Sequence, residues 1–139
     1  MEQKLAVSEV FYSIQGEGKT VGIPSVFVRL AGCNLMCGGQ GTQFDGELHN
    51  GALWRCDTVE VWMQGVATNI SEVLNEECIN AIKKGAHVIL TGGEPMMQQN
   101  ALIAFIEYIH DNINPDVYIE VETNGTVMPT EKMFEITIT

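Results

Sequence analysis

His87-Val-Ile-Leu-Thr-Gly-Gly-Glu-Pro95, continued through a helical stretch to His110 and then Val117-Tyr-Ile-Glu-Val121, decides the fold. The run from His87 to Thr91 is apolar, short and closed by paired glycines, which predicts a buried strand. From Gln98 to His110 the spacing of Leu102, Ile103, Phe105, Ile106 and Ile109 predicts a helix with one apolar face. Val117 to Val121 predicts the next strand. Strand, helix, strand implies a parallel pair joined by a right-handed crossover, in an open sheet or one curved into part of a barrel. In such sheets ligands sit beyond the carboxyl ends of the strands. Thr91-Gly-Gly-Glu-Pro95 falls at such an end. Its glycines let backbone approach a ligand closely, and exposed amides and carbonyls with Glu94 can hold an amino group, although the same string alone is also an ordinary turn into a helix.

Working outward, Ser71 to Lys84 places Leu74, Cys78, Ala81 and Ile82 on one helical face, with Ser71 as N-cap and Glu72 in the first turn. Val7 to Tyr12 and Val26 to Ala31 read as two strands joined by a glycine-rich loop. Few apolar positions recur between Gly32 and about Ile70. Phe134 to Thr139 reads as a strand with no helix after it. A parallel strand covered on both faces does not belong at a terminus, so the expectation is a longer reading frame or a partner on that edge. The chain is expected to form one α/β domain over residues 1–139.

The 139 residues are 45% hydrophobic and 18% charged, ordinary for a globular protein. Seven Lys and Arg against 18 Asp and Glu give a formal charge of -11. That charge repels phosphate backbones and anionic membranes, which argues against a nucleic-acid partner. No apolar run reaches the roughly 18 residues needed to span a bilayer, and the N-terminus has no secretory h-region. The expected location is the cytoplasm, where Cys33, Cys37, Cys56 and Cys78 read as metal ligands or free thiols rather than disulfides.

Cys33-Asn-Leu-Met-Cys37 follows a strand directly, and Cys56-Asp-Thr58 lies further along the same segment. Three thiolates suit a cubane iron-sulfur cluster with one iron left open, whereas structural zinc takes four closed ligands. Cys78, on an apolar helical face, reads as a small hydrophobe. Spacing alone leaves cluster, zinc and plain thiols all open.

Cys33, Cys37 and Cys56 followed by Gly92-Gly-Glu-Pro95 resemble the radical S-adenosylmethionine superfamily. With Glu9-Val-Phe-Tyr-Ser-Ile-Gln-Gly-Glu-Gly18, Gly22-Ile-Pro24, Phe27-Val-Arg-Leu-Ala-Gly-Cys33 and Glu122-Thr-Asn-Gly-Thr126, the chain closely resembles the 7-carboxy-7-deazaguanine synthase family from residue 9 to about 126. The resemblance implies a partial, incomplete TIM-like barrel of parallel strands with crossover helices. It implies a [4Fe-4S] cluster on the three cysteines, S-adenosylmethionine, and Mg²⁺ on Thr58 with Asp57 beside it. The implied reaction converts 6-carboxy-5,6,7,8-tetrahydropterin to 7-carboxy-7-deazaguanine with loss of ammonia, driven by an external flavodoxin-like one-electron reductant in a homodimer.

By position, Ile14, Gln15, Gly16, Glu17, Arg29 and Thr91 are carried over as substrate contacts. Gly93, Glu94 and Asn124 are carried over as S-adenosylmethionine contacts, with Glu122 near the pocket. Arg29 suits a carboxylate because a guanidinium pairs with it bidentately and stays charged. Two departures stand out. Gly38 to Arg55 separate the second and third cysteines, an enlarged cluster loop that some family members carry; the alternative is that Cys37 is displaced and His49 or water completes the site. The family also runs on past the segment near Phe134 into stretches that contact S-adenosylmethionine and close the substrate site. The competing readings are a glycyl-radical activating enzyme, disfavoured by Gln15-Gly-Glu-Gly18 with Arg29, and a non-enzymatic zinc module, which would be colourless.

Overall fold

The computed structural model describes residues 3–16, 18–32 and 65–136. Their order is β1 (Lys4–Ile14), β2 (Pro24–Leu30), β3 (Val66–Asn69), α1 (Glu76–Lys83), β4 (His87–Gly92), α2 (Gln99–Asn112), β5 (Ile119–Val121) and α3 (Glu131–Ile136). The five strands form one sheet in the order β3-β1-β2-β4-β5. β2, β4 and β5 run parallel, as expected. β1 is antiparallel to both β2 and β3, so the sheet is mixed rather than wholly parallel. A short loop joins β1 to β2 and permits a hairpin, whereas parallel neighbours need a crossover.

The core forms where the helices cover one face of this sheet. Leu102, Phe105, Ile106 and Ile109 of α2 recur at helical spacing and pack with Val26, Val28, Leu30, Val88, Leu90, Ile119 and Val121, all buried. Each such side chain removed from water contributes about 1.5–3 kcal/mol. Alternation leaves Phe27, Arg29, Ile89, Thr91, Glu120 and Glu122 on the opposite face. β1 reaches the same division by a bulge. The register steps from Val7↔Leu30 to Glu9↔Arg29, so Ser8 is surplus. Leu5, Val7 and Val10 therefore share the core face, while Glu9 and Phe11 join the other, where the rings of Phe11 and Phe27 stack at 5.0 Å.

Two elements depart from the sequence reading. The helix expected from Ser71 starts at Glu76, because Asn75, not Ser71, is the cap: its Oδ1 accepts the Cys78 amide at 2.9 Å. Ile70–Glu72 is only a short 3₁₀ turn. The strand expected from Phe134 is instead α3. Thr130 Oγ1 accepts the Met133 amide at 3.3 Å, Glu131 occupies the first turn, and Met133 is buried in the core. With no strand at Phe134–Ile136, the inference of an uncovered edge drawn from it loses its basis; Thr137, Ile138 and Thr139 lie outside the described residues.

Candidate functional site

β4 and β5 end side by side, and beyond their carboxyl ends lies an open cavity of about 590 Å³. Thr91, Gly92 and Gly93 line it from β4, and Glu120 to Asn124 from β5. Gly18, from the loop between β1 and β2, completes the lining. That loop is a compact turn: Gln15 donates to Ile23 O at 3.0 Å and accepts from Gly22 N at 2.8 Å.

Glu122 organises the cavity. Its Oε2 accepts from Thr91 Oγ1 at 2.9 Å and its Oε1 from Gln15 Nε2 at 3.3 Å. Two expected substrate contacts from distant parts of the chain thus converge on one carboxylate. A parallel pair sits one step along the strand, where Thr20 Oγ1 donates to Glu120 Oε2 at 2.7 Å. Glu120 and Glu122 face the same way because they are two residues apart on a strand. The cavity wall is therefore acidic and suited to a ligand rich in N–H groups.

Glu94 behaves differently from the expectation of a direct ligand contact. Its side chain is fully buried, turned towards the segment after β5. Thr123 Oγ1 donates to both carboxylate oxygens, to Oε2 at 2.6 Å, and the Asn124 amide donates to Oε1 at 2.9 Å. Glu94 thereby fixes Thr123 and Asn124, which do line the cavity. Arg29 lies on the same sheet face, its Nε bonded to Glu9 Oε1 at 2.8 Å. Ile14 and Gly16 are exposed beside the buried Gln15. Glu17, Cys33, Cys37, Cys56 and Thr58, with Asp57 and His49, lie outside the described residues. Among the described residues no three His, Cys, Asp or Glu side chains gather to hold a metal.

Cys78 packs in the core as expected. Burial, and secondarily the charge of Glu77, raise its thiol pKa above the ordinary value. A protonated, enclosed thiol is a poor nucleophile. Cys78 should therefore escape iodoacetamide at neutral pH until the chain is unfolded in urea, and Cys78→Ala should leave iron uptake unchanged; rapid labelling of Cys78 in the folded protein, read by mass spectrometry, would contradict this placement.

Sequence reasoning did not find Thr20, Glu120, Thr123 or Gln98. Alternation from Glu122 back to Glu120 was the available signal for one of them. The others depend on contacts between remote segments.

A family profile described as a 4Fe-4S single cluster domain matches residues 14–130. The chain belongs to that family. It is also similar to the 7-carboxy-7-deazaguanine synthase of Halobacterium salinarum, 36% identical over 126 residues, which are 88% of this chain and 40% of the relative. It is 35% identical over 130 residues to the enzyme of the same name from Aquifex aeolicus, covering 91% of this chain and 48% of that one. Among solved structures, that of QueE from Escherichia coli superposes with a TM-score of 0.60 at 25% identity, over 96% of this chain and 57% of the other. The chain thus spans less than half the length of these two curated relatives, and its mixed α/β sheet is the fold that it shares with the solved one.

Proposed function

We propose that this member of the 4Fe-4S single cluster family is the cluster-bearing part of a radical S-adenosylmethionine lyase that makes 7-carboxy-7-deazaguanine from 6-carboxy-5,6,7,8-tetrahydropterin with loss of ammonia. The observation that carries the reading is the convergence of Gln15 and Thr91 on Glu122 at the mouth of two parallel strands. A pterin presents an amino group and ring N–H along one edge, and carboxylates facing a cavity are suited to accept them. The similarity to synthases of that name supports the same assignment.

In this reading Cys33, Cys37 and Cys56 hold the cluster. When bound, the cluster supplies the electron that cleaves S-adenosylmethionine. The chain's own residues bind and orient. Gly92 and Gly93 let the cofactor approach backbone, and Asn124, fixed by Glu94, borders the same space. Arg29, steadied by Glu9, presents its guanidinium to the substrate carboxylate. Thr58 holds Mg²⁺, an external flavodoxin-like protein supplies the electron, and the sheet belongs to a partial TIM-like barrel that pairs into a homodimer in the cytoplasm.

The test is anaerobic reconstitution with iron and sulfide, followed by assay for 5′-deoxyadenosine and deazapurine with 6-carboxytetrahydropterin. A brown protein that releases both is the expected result, with Cys33→Ala colourless. A colourless wild type that binds zinc would overturn the reading.

A further inference from the structure

The last three residues of the chain before Cys33 offer three successive carbonyls, and each is held by the segment that begins with the glycine pair. Gly93 N donates to Leu30 O at 3.1 Å and Glu94 N to Gly32 O at 2.8 Å. The carbonyl between them, Ala31 O, accepts from the side chain of Gln98 at 3.2 Å. The same side-chain amide also reaches β1, where Nε2 donates to Ala6 O at 3.1 Å and Oε1 accepts from Ala6 N at 2.7 Å. Ala31 N in turn donates to Ala6 O at 2.9 Å. Gln98 therefore acts as a detached peptide group inserted where β1 and β2 part, with its donor and acceptor both used.

We infer that Gln98 is a positioning residue that locks the root of the cysteine segment to the Gly92-Gly93 turn, so that cluster and S-adenosylmethionine are held in one frame. The inference rests on the functional reading above. Its physical basis is that two of the three ties are backbone amides, which no side-chain change removes, whereas the third is an amide supplied by a residue close behind the turn. A fixed frame matters because an ångström of misplacement between a bound ligand and its reaction partner costs far more than the contact itself. Gln98 need not touch either cofactor to have this effect.

The chemistry of the side chain provides the discriminating variants. Gln98→Glu keeps an acceptor for Ala6 N–H but, as a carboxylate, has no donor for Ala31 O or Ala6 O. Gln98→Met keeps length and loses both. Each full-length variant is reconstituted anaerobically, reduced with dithionite and titrated with S-adenosylmethionine, and the change in the cluster's electron paramagnetic resonance spectrum gives the half-saturating concentration. Melting of the iron-free protein is recorded alongside. With the frame loosened, both variants should bind iron as the wild type does yet need about tenfold more S-adenosylmethionine, the scale of one lost hydrogen bond. If Gln98→Glu binds as the wild type does, or if both variants lower melting while leaving the titration unmoved, Gln98 is only a strand filler and the inference falls. A wild type that takes up a cluster but shows no spectral response to S-adenosylmethionine overturns the functional reading itself, and the inference with it.

Discussion

Replacing Gly92 by alanine is expected to cost the fold about 2–6 kcal/mol. Gly92 ends β4 at φ +120°, a backbone conformation that side chains rarely adopt, and it pairs with Leu30 across the parallel ladder. An added Cβ would overlap the backbone nitrogen and oxygen of Leu30, atoms that cannot rotate away. Strain of about 1–3 kcal/mol for the conformation adds to about 1–3 kcal/mol for overpacking. Together they consume a large part of the roughly 5–15 kcal/mol that holds a typical domain. Urea denaturation followed by circular dichroism should show the midpoint falling by about 2 M, given a slope of about 1–3 kcal/mol per molar. Gly125→Ala is the matched control. It too has positive φ, at 77°, but a Cβ there meets nothing within 4 Å, so it should lose no more than about 1–2 kcal/mol. Equal midpoints for the two variants would refute the close-approach argument.

Thr123→Val is the second large effect expected. Valine matches threonine in shape and deletes the hydroxyl that donates to the buried Glu94 carboxylate. The Asn124 amide, which donates to Oε1, remains. Hydrogen bonds to charged groups contribute about 1.5–3 kcal/mol, and stranding a buried carboxylate adds its desolvation, so a loss of about 2–4 kcal/mol follows. A double-mutant cycle separates this pairing from general damage. With Glu94→Leu already in place, Thr123→Val should cost at least about 1 kcal/mol less than it does alone. Strict additivity of the two changes would show that the contact does not couple them.

The β4–α2–β5 unit was legible in the sequence because its buried residues repeat at the periods of strand and helix. Val66-Ala-Thr-Asn69 was not, since this short strand at the sheet edge is half exposed and has no inward-facing run to betray it. The start of α1 was misplaced because Ser71 and Asn75 are both residue types that cap helices, and only the fold shows that Asn75 caps this one. Near the end of the chain, the strand-like pattern from Phe134 to Ile136 was outweighed by a Thr130 cap and by the burial of Met133. For the site, Thr91 and Gly93, expected as ligand contacts, stand in the cavity lining, and Gln15, carried over by resemblance, is bonded to Glu122. The inward turn of Glu94 and the Thr20–Glu120 pair join residues far apart in sequence, and local pattern carries no trace of such pairings.

One sheet separates two kinds of residue by its own thickness. Val26, Val28, Val88, Leu90, Ile119 and Val121 lie under the helices, while Phe27, Arg29, Thr91, Glu120 and Glu122 stand on the other side. Substitutions on opposite faces share few partners and combine nearly independently. Inheritance can therefore revise what the outer face recognises without renegotiating the packing beneath it. The scaffold is robust for the same reason that its ligand chemistry is adaptable.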